Sequence, residues 1–153
     1  MTGDILLQKR SGFLGWLVSL FTRSEYVHVG IDMGTNIVCH VDMTGKHFDD
    51  YREWGEIIRL TPVIPFTEGQ QAMLVHRCHL TKVRGYSYWH AFKSWFYPNS
   101  DDEARMGKYY HCSGFVSAMY RKIGIDLVPN CADGSTQPHH FLESDFLTVS
   151  TNA

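Results

Sequence analysis

Neither C-x-x-C nor H-E-x-x-H occurs in this sequence, which removes the commonest zinc-binding arrangements. His76, Cys78 and His79 lie close together, as do Cys131, His139 and His140, but an exposed polar face accounts for such spacings as well as a ligand set does. No metal and no cofactor is therefore expected. Cysteine is sparse: Cys39, Cys78, Cys112 and Cys131 have no paired spacing, so they are read as reduced thiols and not as a disulfide framework. Positive charge is scarce too. A formal net charge of −2, with no basic run of five or more residues, sets aside general nucleic-acid binding. No transmembrane segment is expected, because the apolar stretch Phe13–Phe21 falls far short of the ~20 residues of a membrane span. It is read as a core-facing helix flanked by Arg10 and Arg23. The opening Gly3-Asp4-Ile5-Leu6-Leu7 is strand-like where a leader would be basic and then apolar, so a cytoplasmic protein, or one released without a cleaved leader, is expected.

What is present suits one compact domain over residues 1–153. The 44% apolar and 20% charged fractions are those of a soluble globular chain, and the length allows one sizeable core. Strands are predicted at Asp4–Gln8, Glu25–Gly34, Ile37–Met43, Glu56–Leu60 and Phe146–Val149, and Lys46–Glu56 reads as a charged stretch between two of them. Helices are predicted at Thr67–His79 (Thr67 and Gln70 form a capping-box pattern, with Ala72, Leu74 and Val75 apolar), Ser87–Phe96 and Pro138–Leu142. The aromatic segment from Gly85 to Tyr110 serves as core or as the wall of a cleft.

The helix after Cys112 carries the chemistry. Phe115, Val116, Met119, Tyr120 and Ile123 follow the i, i+3, i+4 rhythm of one buried face, and Gly124 is a left-handed cap. Cys112 thus falls in the first turn, where unpaired N–H groups and the helix dipole favour a thiolate. A base is needed to make it a nucleophile. Alternation along Tyr26–Met33 puts His28 on one face with Tyr26, Gly30 and Asp32. After the turn Gly34-Thr35-Asn36, His40 shares a face with Val38 and Asp42, so each strand of a hairpin can present one histidine to the same side.

These residues resemble a known family. Gly3-Asp4-Ile5-Leu6-Leu7, Tyr26-Val27-His28-Val29-Gly30-Ile31 and His111-Cys112-Ser113-Gly114-Phe115-Val116 are similar to the circularly permuted branch of the NlpC-type papain-like superfamily. That branch includes the YiiX-like proteins and the lecithin–retinol acyltransferase-like enzymes. The histidines precede the cysteine here, which is the permuted order, and the resemblance runs from Gly3 to about Leu147. It implies an α+β fold with an antiparallel sheet packed against a nucleophile-bearing helix. It also implies Cys112 as nucleophile, His28 as base and His40 as the third polar residue, with Asp42 the alternative on the same face. The acyltransferase subgroup carries Asn before the cysteine and Glu-His after it. This chain has His111 before and Ser113-Gly114 after, which favours a cysteine peptidase or amidase. The implied substrate is a peptide or a peptidoglycan-like stem peptide. A lipid ester handled by the same site, and a catalytically silent binding module on the same scaffold, are the alternatives.

Overall fold

A computed structural model describes residues 1–9, 25–87, 109–129 and 131–150. The helices expected at Phe13–Phe21 and over most of Ser87–Phe96 lie outside the described residues. Ser87 itself is described and is not helical: its N–H donates to the Tyr110 carbonyl at 2.9 Å.

Period-two alternation builds the main sheet. Its strands are β1 (Ile5–Lys9), β2 (Tyr26–Gly34), β3 (Ile37–Asp42), β4 (Gly45–Asp50), β5 (Ile57–Pro62) and β8 (Leu147–Val149). Among the described residues they form a six-stranded sheet in the order β4-β3-β2-β1-β5-β8, every neighbour antiparallel. A short parallel pair, β6 (Gly85–Tyr86) and β7 (Tyr109–Tyr110), stands apart from it. The β2–β3 hairpin turns through Thr35 and Asn36, at φ 51° and 66°. Two consecutive left-handed residues mark the tight turn that matches strand twist. Asn36 is secured there by its carbonyl accepting from the Tyr51 N–H and its Oδ1 from the Tyr51 hydroxyl, both at 3.0 Å.

One face of the sheet meets the helices. Ile5, Leu7, Val29, Ile31, Cys39, Val41 and Leu60 are buried together with Leu74 and Cys78 of α1 (Glu68–Leu80) and with Phe115, Val116 and Met119 of α2 (Cys112–Arg121). Thr67 caps α1 through the expected box with Gln70. Of the apolar positions noted in α1, Ala72 is exposed; the buried stripe is Leu74 and Cys78, one turn apart. Gly124, at φ 80°, closes the end of α2. The Ile125 N–H returns to the Tyr120 carbonyl at 3.0 Å and the Gly124 N–H to Arg121 at 2.9 Å, the paired bonds of a left-handed helix stop. Pro138 opens the short α3 (Pro138–Leu142).

The charged stretch 46–56 is not a plain connection, which corrects the sequence reading. It contains the edge strand β4 and a 3-10 turn, Tyr51–Trp54. An edge strand tolerates charge because only one side joins the ladder. Lys46 then finds its partners across the fold: Nζ donates to the carbonyls of Cys78, His79 and Thr81 at 2.6, 3.0 and 2.7 Å, locking β4 to the C-terminal end of α1. The 3-10 turn brings Trp54 against the imidazoles of His28 and His40.

Candidate functional site

Register explains why two histidines twelve residues apart in sequence meet. Gly30 pairs with His40 across β2 and β3, so His28 stands diagonally from His40 on the same face. The His28 Nε2 and the His40 Nδ1 are 2.8 Å apart. On its other side the His40 Nε2 lies 2.9 Å from the Asp49 Oδ2 of β4. Asp42, the alternative partner for His28, turns away: its Oδ1 accepts from the Thr44 N–H at 2.7 Å and lies 3.2 Å from the His47 Nε2.

Trp54 covers this pair. Its ring centroid is 5.0 Å from that of His28 and 5.0 Å from that of His40. Gly30 makes room for it, since a Cβ there would stand 3.0 Å from the Trp54 Cη2 and 2.5 Å from the Val38 Cγ2.

Cys112 begins α2 as expected, and the residue that caps the helix is His111. The His111 Nδ1 accepts from the Gly114 N–H at 3.3 Å, and Nε2 donates to the Gly134 carbonyl at 3.2 Å. The imidazole thus ties the helix start to the 3-10 turn Asp133–Ser135. The packing there is close, because a Cβ on Gly114 would lie 2.7 Å from the Asp133 carbonyl oxygen.

The Cys112 sulfur is 3.8 Å from the Ser113 hydroxyl. It is also within hydrogen-bonding reach of the backbone N–H groups of Ser113, Val29 and Cys112 itself. Val29 follows His28 directly, so the thiol is brought to the backbone of the histidine strand. Among the described residues the partners of the sulfur are these groups, and the His28 ring is not one of them. Catalytic hydrogen bonds are commonly long before substrate arrives.

The electrostatics differ from expectation at the thiol. Burial pushes the Cys112 thiol above its ordinary value, and the Ser113 hydroxyl and the three N–H donors offset this only in part. Sequence reasoning expected the helix start to favour a thiolate. Cys112 is 6% exposed, and desolvation outweighs the helix start. Burial likewise pushes His28 down to about 3, helped by neighbouring His40 and opposed by Asp42. His40 is lowered by burial, against the pull of Asp49 and Asp42. At rest the thiol and both imidazoles are therefore neutral.

Asp49, Trp54 and His111 were not found by sequence reasoning. Asp49 and Trp54 fall in the stretch read as merely charged; the β3–β4 register, which sets His40 opposite His47 and Val38 opposite Asp49, places Asp49, and the 3-10 turn after β4 places Trp54. His111 carried a signal that went unused: it stands at the N-cap position.

The two sequence clusters weighed for metal have other uses. His79 stacks on Phe48 with centroids 4.5 Å apart. The Cys131 sulfur lies 3.6 Å from the His140 Nδ1, which also accepts from the Gln137 N–H at 3.1 Å. None of the four cysteines is joined in a disulfide. Among the described residues no helix is long and apolar enough to cross a membrane.

No protein-family model matches the sequence, and no curated protein matches it. Among solved structures the chain is similar to that of metalloprotein yiiX from Escherichia coli O157:H7, with a TM-score of 0.72 over 99% of this chain and 96% of that one, at 16% sequence identity. What that likeness shows is architecture: this chain has a YiiX-like α+β fold built on a mostly antiparallel sheet.

Proposed function

We propose that the protein is a thiol hydrolase of the peptidase or amidase type, with the permuted NlpC-type papain-like arrangement that its sequence resembles. One observation carries the reading. Cys112 opens α2 in the same buried core as Val29, the residue immediately after His28, while the His28 Nε2 is engaged by His40. In the proposed chemistry the His28 Nδ1 is the atom that accepts the thiol proton, which requires the sulfur and the ring to approach each other as substrate binds.

In this mechanism substrate binding expels water and draws the thiol proton to the His28 Nδ1. The sulfur attacks the amide carbon. The N–H groups at the start of α2, that of Cys112 included, stabilise the oxyanion. The imidazolium returns its proton to the departing amine, and water hydrolyses the thioester. A peptide or stem-peptide amide is the favoured substrate, since Ser113-Gly114 stands where the acyltransferases carry Glu-His.

The related structure belongs to a protein described as a metalloprotein, which raises the same question for this chain. Among the described residues no group of three or more His, Cys, Asp or Glu side chains is placed to hold a metal ion. His28 and His40 also spend ring nitrogens on each other. These residues do not fit a metal.

The test is a trapping comparison: labelled muropeptide and labelled phospholipid are each incubated with the protein, and the intact mass is read for an acyl increment on Cys112. An increment from muropeptide, absent in a folded Cys112→Ala variant, is the expected result. An increment from phospholipid alone would move the assignment to lipid acyl transfer. Full turnover by Cys112→Ala would end the mechanism. The burial of the sulfur favours one other reading, a silent binding module, for which neither donor leaves an increment.

A further inference from the structure

The chain of side chains behind His28 has a direction. A carboxylate only accepts hydrogen bonds, so the His40 Nε2 facing Asp49 at 2.9 Å must carry a proton. A neutral imidazole has one N–H, which leaves the His40 Nδ1 as an acceptor. The His28 Nε2, 2.8 Å from it, is then the donor, and the His28 Nδ1 is bare. We infer that Asp49 is a positioning residue that sets the proton order along Asp49, His40 and His28, leaving the lone pair of His28 on Nδ1. The thiol-hydrolase reading is needed for what that lone pair does, and not for where the protons are.

The surroundings support the neutral state this argument needs. His28 is faced by His40, by Trp54 and, through space, by Asp42. His40 is faced by His28, Asp49, Asp42, His47 and Trp54. Burial lowers both histidines, so each holds a single ring proton at neutral pH. Protonating His40 would force a donor onto Nδ1 and reverse the hydrogen bond to His28. An acid pH therefore removes the lone pair from the His28 Nδ1 without His28 gaining charge.

Asp49 suits this role because it can be changed without disturbing the core. Its side chain is 51% exposed, and it sits on the edge strand β4, where Lys is well tolerated. The experiment reads the ring nitrogens of His28 and His40 by long-range 1H–15N NMR in the full chain at neutral pH. In the wild type both rings should be protonated at Nε2 and bare at Nδ1. Asp49→Lys replaces the acceptor with a donor and should shift protons to Nδ1 in both rings, and Asp49→Glu should keep the wild-type pattern. With the trapped substrate as readout, Asp49→Lys should lower kcat by roughly a hundredfold or more with KM little changed, as expected for a histidine held in the wrong tautomer, and Asp49→Glu should restore it. A wild-type His40 protonated at Nδ1, or ring protonation unmoved by Asp49→Lys, overturns the inference. If no donor acylates Cys112, the hydrolase reading fails while the NMR arm still decides the proton order.

Discussion

Gly30→Ala is the most direct test of how the sheet positions the imidazoles. Gly30 is buried within β2 and lies opposite His40 in register. A Cβ built there meets the Val38 Cγ2 at 2.5 Å, the Cys39 carbonyl oxygen at 3.0 Å and the Trp54 Cη2 at 3.0 Å. The first two cannot yield easily: Val38 is β-branched and has no exposed surface, and the carbonyl belongs to the backbone of β3. Trp54 can move, but only by uncovering His28 and His40. Overpacking of this kind costs about 1–3 kcal/mol, and the tight contacts place this case toward the upper end. For a chain of this size that is a fall in Tm of roughly 4–10 °C. Thermal unfolding by circular dichroism measures it. Val38→Ala removes the closest contact, so Gly30→Ala with Val38→Ala should lose less stability than the two single variants summed, by about 1 kcal/mol. A Gly30→Ala protein that melts within roughly 1 °C of wild type, with unchanged His28 and His40 NMR signals, would refute the placement of Trp54 and with it the shielding of the imidazole pair.

Three further outcomes follow from other contacts. His28 is pushed down to about 3 in the fold but takes its proton near 6.5 when unfolded. The unfolded state thus binds more protons between these values, and stability that is full above 6.5 is lost as pH falls toward 3, by up to roughly 3 kcal/mol for this half-buried ring. Urea midpoints across that range should fall in the wild type and flatten in His28→Gln. His111→Ala removes both the cap on Gly114 and the bond to the Gly134 carbonyl, and should cost about 1–3 kcal/mol in urea unfolding; a loss under roughly 0.5 kcal/mol would show that the cap is idle. Lys46→Met leaves three carbonyls near the end of α1 without their ammonium and should cost about 1–2 kcal/mol, with amide exchange in residues 76–80 accelerated; unchanged exchange there would argue against the lock.

Local pattern carried the sequence reading where local forces decide the outcome. The β2–β3 hairpin was legible because period-two alternation and a turn signal at Gly34-Thr35-Asn36 agree, and the end of α2 because Gly124 alone suits φ 80° there. β4 was hidden for the opposite reason. Its Lys46, His47, Asp49 and Asp50 have weak intrinsic strand preference, and two of them are held by partners distant in sequence or on another strand: the carbonyls of Cys78, His79 and Thr81 at the C-terminal end of α1 for Lys46, and His40 for Asp49. No local pattern announces such partners. The same divide explains the thiol. A cysteine at a helix start feels N–H donors that lower its pKa and burial that raises it. The donors are visible in the sequence, whereas the burial comes from the sheet and the 3-10 turn packed around it. Tertiary burial wins at rest, with the sulfur and His28 both driven toward their neutral forms. A thiol hydrolase with this ground state must draw its ion pair from the bound substrate, so the rate of Cys112 acylation should depend on the donor far more steeply than the rate of simple alkylation does. If iodoacetamide reacted at neutral pH as fast as with an activated thiolate, the resting neutral pair, and the account of burial given for it, would be wrong.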